Sequence, residues 1–194
     1  MVVETGAARW RVRSRQLDLA QDLEQLPLDE CDGVTTTAFL DLVSAAWLDR
    51  LADRLTHAQR PLLATLTVDG RRLWHPALLA DARIQAAFQQ HQGGDKGFGP
   101  ALGSGATAYL ADRLTAKGHA VQTARSDWRI GRKHHDMLAQ MVTESAAVAA
   151  EAAPADAALF TAWAQERQAQ AAAGTLALEV GHLDLLALPG GTSA

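Results

Sequence analysis

Glycine and lysine together are the usual makings of a phosphate cradle, and residues 93–103 read GGDKGFGPALG. A Walker loop needs G-x-x-x-x-G-K-[ST] between a strand and a helix, so that backbone N–H groups and the helix N-terminus face the phosphates. Here Lys96 precedes its glycines and no Ser or Thr follows it. The dinucleotide fingerprint G-x-G-x-x-G fares no better. The run from Gly97 to Gly103 is one residue too long for it, and Pro100 removes an N–H donor. Neither phosphate pattern is met.

The other chemistry-bearing groups are scattered. His134, His135 and Asp136 suggest a metal, but adjacent histidines on a helix point about 100° apart and cannot chelate together. Ser44 has no G-x-S-x-G elbow around it, so an esterase-type nucleophile is unsupported. Trp128, in SDWRIG, is either a core anchor or a pocket wall. His182, beside Gly181, reads as a satisfied, partly buried histidine rather than a general base. Asp18 is either a turn residue capping the next segment or an acceptor for a ligand amine.

The elements that must position these groups belong to a chain of 194 residues, 48% hydrophobic and 21% charged, which is a globular balance. Eighteen basic against twenty-two acidic side chains give −4, with no electrostatic footprint for nucleic acid. Arg9, Arg11, Arg13 and Arg15 alternate as one solvated strand face would. Cys31 is alone, so no intrachain disulfide forms and a reducing compartment is expected. The N-terminus lacks an apolar signal core, and nowhere do eighteen apolar residues run uninterrupted. A cytoplasmic protein without membrane or nucleic-acid partners is the expectation.

Alternation predicts a strand over residues 10–17, and CDGVTTTAFL (31–40) a second, more buried one. Val43, Trp47, Leu51 and Leu55 recur every four residues along a helix that Pro61 stops. LLATLTV (62–68) reads as a core strand ending at Asp69–Gly70. A helix follows over 77–92, with Leu78, Ile84, Phe88 and His91 inward. Another runs from an N-cap at Ser104 to Gly118, and HAVQTAR (119–125) is a further strand. Residues 132–173 form an alanine-rich helical pair broken at Pro154. In TLALEVGHLDLLALP, Leu176, Leu178 and Val180 share one parity and Leu183 and Leu185 the other. That phase change predicts one long strand bulged near Gly181, with a hairpin as the alternative. Strand–helix–strand order favours a parallel sheet.

The run RQLDLAQDLEQLPLDECDGVTTTAFLDLVSAAWLDRLADRL resembles bacterial class I S-adenosylmethionine-dependent methyltransferases, and DKGFGPALG, SDWRIG and GHLDLLALP resemble one bacterial branch of them. The resemblance spans about residues 10–189. It implies an α/β, Rossmann-like sheet with helices on both faces and an antiparallel last strand. Residues 11–17 match the family's third strand, 32–38 the fourth, 62–68 the fifth, 120–125 the sixth and 175–188 the seventh. The first two strands, the glycine-rich loop and the acidic residue that serve the cofactor have no counterpart. The expectation is therefore an N-terminally truncated member, a single incomplete domain over 1–194 with the helical pair before its last strand.

The resemblance implies methyl transfer from S-adenosylmethionine to a small-molecule acceptor. Asp18 and Leu19 would meet the adenine, and Thr37 and Phe39 would lie beside the sulfonium. Leu40, Asp95, Lys96, Phe98 and Trp128 would build the acceptor pocket, with 93–103 as a hinged lid. The loop after the 32–38 strand lacks the N/D-P-P-Y/F pattern of base-amine methylation. The competing expectation is a non-catalytic remnant, either inert or serving as a protein-interaction module through an exposed sheet edge.

Overall fold

A computed structural model of the chain describes residues 2–5 and 8–190. Strands β1 (Val2–Thr5) and β2 (Ala8–Arg11) form an antiparallel hairpin of their own. Residues 12–18 then run without regular structure, so the strand expected over 10–17 ends at Arg11. The side chains from Arg11 to Gln16 are exposed; the Arg9 side chain lies outside the described residues.

The main sheet is mixed and open, and its formation follows the apolar runs. β3 (Val34–Thr37) pairs parallel with β4 (Leu62–His75), and β7 (Ala177–Leu188) lies antiparallel between β4 and β5 (Ala120–Arg125). β6 (Trp128–Ile130) continues the line of β5 along β7. β3, β4 and β5 therefore run parallel to one another.

Helix α1 (Ala45–Ala58) starts at Ser44, whose Oγ accepts the Trp47 N–H at 3.3 Å. Its buried residues include the predicted Trp47, Leu51 and Leu55 together with Leu48, while Val43 is buried in the turn ahead of the helix. Its other side pins the segment before β3: Arg50 forks onto Glu24, Arg54 reaches the Glu24 and Leu26 carbonyls, and Trp47 Nε1 donates to the Leu19 carbonyl at 2.7 Å. α2 (Asp81–Gln92), α3 (Ala106–Ala116), α4 (His135–Ala152) and α5 (Ala157–Ala172) complete the fold. Ser104 sits in a tight turn ahead of α3 and does not cap it.

β7 is one unbroken strand, and its register against β5 and β6 has no shift. The irregularity expected within it at Gly181 lies instead on the facing strand. Val68 pairs with His182 and Arg72 with Val180, so Asp69, Gly70 and Arg71 bulge opposite Gly181 alone. β4 thus runs through Asp69–Gly70 rather than ending there.

The phase change along β7 has a different cause from a bulge. Leu185 and Ala187 pack with α1 and α3, whereas Leu178 and Val180 pack with α2, α4 and α5. Strict alternation along an unshifted strand puts these pairs on opposite faces. Helices flank both faces, but over opposite ends of the sheet. The row Thr35–Leu63–Leu186–Gln122 is consequently uncovered, with Leu63 43% exposed, while the next row, Val34–Leu62–Ala187–Val121, packs into the α1–α3 core.

Candidate functional site

In open α/β sheets ligands bind in the crevice beyond the carboxyl ends of the parallel strands. Here that edge is formed where β3 and β5 end and where β4 bulges. Two non-glycine residues adopt left-handed backbone there, Ala38 (φ 50°) and Leu66 (φ 56°). Such geometry costs on the order of 1–3 kcal/mol per residue and persists only where the surroundings impose it. The Ala38 N–H donates to the Thr65 carbonyl, and the Leu66 N–H donates to Asp184 Oδ1, each at 2.9 Å. Asp184 Oδ1 also accepts from Ser126 Oγ at 2.6 Å, tying the ends of β4 and β5 together.

Beside this edge lies a cavity of about 360 Å³, lined by Leu19, Thr37, Phe39 and Leu40 with Trp47 and Leu51 among its other walls. Four residues singled out from the sequence therefore meet at one place. Phe98 joins them from the glycine-rich segment, its ring edge-on to Phe39 at 5.5 Å and to Trp47 at 5.8 Å. A larger groove of about 570 Å³ runs between α4 and α5, but it is walled mainly by alanines and touches none of the strand-end residues.

The remaining sequence candidates are engaged elsewhere. Asp18 Oδ1 accepts the Ala20 N–H at 3.0 Å, and its carbonyl accepts from Gln21 and Asp22, so it caps a turn. Asp95 Oδ1 accepts the N–H groups of Gly97 and Gly99, at 2.7 and 3.0 Å. Both glycines have positive φ, 94° and 83°, which is why the loop can fold back on this carboxylate. Lys96 reaches His91 on α2 at 3.5 Å, and His91 in turn meets Glu151. Trp128 lies apart from this cavity, beside His182 and along a separate one with Ile130, His134 and Met137.

Asp41 was not singled out from the sequence, whereas His182 was, as a satisfied, partly buried histidine. Asp41 is buried, at 8% exposure, and desolvation pushes its carboxyl up against the smaller opposing pulls of its own backbone N–H and of His182. His182 is buried too, and Nδ1 lies 3.0 Å from the Val180 carbonyl oxygen. A carbonyl only accepts, so Nδ1 carries the hydrogen. Nε2 has no hydrogen-bond partner among the described residues. The Trp128 ring sits 5.0 Å from the imidazole, and Trp128 is 41% exposed. The legible signal was an aspartate between two leucines, Leu40-Asp41-Leu42 and again Leu183-Asp184-Leu185. An acid in an apolar run is costly to bury without a task or a partner.

Among the described residues no group of three His, Cys, Asp or Glu side chains is placed to hold a metal, and His135 pairs with Asp136. S-adenosylmethionine fits the cavity only in part. Its walls suit the flat adenine, but no charged side chain lines it to meet the ammonium, the carboxylate or the ribose hydroxyls. The described residues do not by themselves hold the whole cofactor. No helix among the described residues is long and apolar enough to cross a membrane. No family model matches the chain, and no curated protein matches it.

Proposed function

We propose that this chain builds the acceptor side of a methyltransferase, in which a methyl group passes from S-adenosylmethionine to a small-molecule nucleophile. One arrangement supports the reading: an antiparallel last strand lies between two parallel strands, and a cavity runs along the third parallel strand, β3, into the turn at Phe39 and Leu40. Four segments matched to the family's fourth to seventh strands lie in one sheet, and the last is antiparallel, as the resemblance implies. The sheet is Rossmann-like on this reading. Leu19 and Phe39 supply an apolar wall for the adenine, Thr37 and Leu40 close its inner end, and Phe98 braces Phe39.

Nuclear magnetic resonance titration of the chain with S-adenosylmethionine tests this. Shifts confined to Leu19 and residues 34–40, saturating weakly because the charged ends of the cofactor go unmet, are the expected result. Absence of any shift there overturns the methyltransferase reading.

A second reading has an observation of its own. The N–H groups of Val34 and Ala38 point to β4, donating to Pro61 and Thr65. By alternation the backbone groups of Thr35 and Thr37 face outward from the sheet. With the uncovered row beside it, this edge is suited to pairing with a strand of another polypeptide, and the chain would then act as an interaction module.

A further inference from the structure

We propose that the cavity beside Trp128 binds a small aromatic ring that carries a carboxylate or phosphate. This cavity measures about 350 Å³ and is lined by Asp127, Trp128, Arg129, Ile130, His134 and Met137. It is large enough for a small ligand and shares no wall with the cavity along β3.

Its apolar part is built to receive a ring. Trp128 and Ile130 face Val180 and Leu178 across β6 and β7, so the two share one side of the sheet. Ile130 is buried there, yet Trp128 is 41% and Met137 42% exposed, and these two large apolar side chains meet solvent at one hollow. His182 stands 5.0 Å from the Trp128 ring at a tilt of 46°, so protein backs the indole on one side. What stays exposed offers an aryl ring a plane to stack on, and Met137, unbranched and polarisable, adapts to what lies against it.

The charge around the hollow is positive in a chain that is negative as a whole. Between Arg125 and Asp136 four Arg and Lys side chains stand against two aspartates, whereas the whole chain has 18 against 22. The acids here are already answered. Asp127 Oδ1 lies 2.6 Å from Arg71 and also accepts the His182 backbone N–H at 3.2 Å. Glu179 is shared by Arg71 and Arg129, each at 3.4 Å, and Asp136 lies beside His135. Arg132 and Lys133 are exposed, and neither has a carboxylate within ion-pair distance among the described residues. An anion on the bound ring therefore finds Arg129, Arg132 and Lys133 within five residues of chain, and no uncompensated acid against it. Exposed cations alone hold an ion weakly, so the ring and the charge are needed together.

The site does not rest on methyl transfer, and none of its probes donates a methyl group. Nuclear magnetic resonance titration of the whole chain tests it with three of them. Naphthalene-2-carboxylate carries its charge on the ring, adenosine monophosphate carries it a ribose away, and naphthalene-2-methanol is neutral. Both anions should shift the Trp128 indole and the amides of residues 127–137, and the tighter of the two shows how far the charge sits from the ring. The neutral probe should bind about tenfold more weakly, for want of a charge-assisted contact. Trp128→Ala should weaken both anions about tenfold, through the lost stacking. Arg132→Ala with Lys133→Ala, at exposed positions, should remove most of the preference for the carboxylate over the methanol and leave the neutral probe unchanged. Equal affinity for charged and neutral probes, shifts confined to other residues, or anion binding untouched by the cation variant overturns the proposal.

Discussion

Gly181 faces Asp69 so closely that a Cβ at position 181 would stand 2.7 Å from the Asp69 Cγ and 2.8 Å from Arg71 Nη2. The glycine clears room for the β4 bulge, on which Arg71 gathers Asp69, Asp127 and Glu179. Gly181→Ala should push these side chains out of register and cost about 1–3 kcal/mol, as overpacking does. Denaturant unfolding measures it, and the Trp128–His182 contact should loosen with it.

Arg167 is fully buried on α5 and forks onto Asp81, each contact 2.6 Å, with Trp74 and Trp163 rings around it. Trp163 Nε1 donates to the same carboxylate at 2.7 Å. Removing one partner of a buried pair typically costs about 3–5 kcal/mol. Arg167→Met should fall near the lower end, because Asp81 keeps Trp163 and the Leu78 N–H. Adding Asp81→Asn should recover part of the loss in a thermal melt.

His119 is buried with both ring nitrogens unpartnered, and desolvation pushes its pKa down. The unfolded chain therefore takes up a proton that the folded chain refuses, and stability rises with pH through that window. Stability should decline as pH falls below about 6.5, the ordinary histidine value. His119→Leu should flatten the slope of the denaturation midpoint against pH; an unchanged slope would assign it to other groups.

Thr35→Pro deletes an N–H on the open side of β3 without touching the bonds to β4. Sedimentation velocity should show concentration-dependent association of the unaltered chain, weakened in this variant, with the folded fraction preserved.

The 93–103 segment is braced rather than loose, through Asp95 and Phe98. Amide exchange at Gly97 and Gly99 should be slow and should speed up at least tenfold in Asp95→Ala. If the segment also serves as the lid expected from its glycines, a bound acceptor should slow exchange across it further; no change would leave it a fixed wall.

Strong local signals were legible in the chain. The four-residue spacing from Val43 to Leu55 gave α1 and its buried face, and Pro61 its end, because a helix stripe is a local pattern. The cavity wall was legible in part, since Leu19, Thr37, Phe39 and Leu40 adjoin strands that the apolar runs announced. The strand over 10–17 was misread, because alternation alone does not say whether a partner strand exists to receive its hydrogen bonds. Asp18 and Asp95 looked available because nothing local reveals that their carboxylates turn back on nearby N–H groups.

The sequence by itself determined the α/β class, the helical stripes and the long final strand, all set by residues close together along the chain. The tertiary structure alone decided which strand carried the bulge, that the two helical layers cover opposite ends of the sheet, and that Trp128 stands against His182. These depend on pairing across separations of 50 residues and more, where burial and register rather than local propensity select the partner. The parity change at Gly181 was written in the chain; that it marks two cores on two faces was written only in the packing.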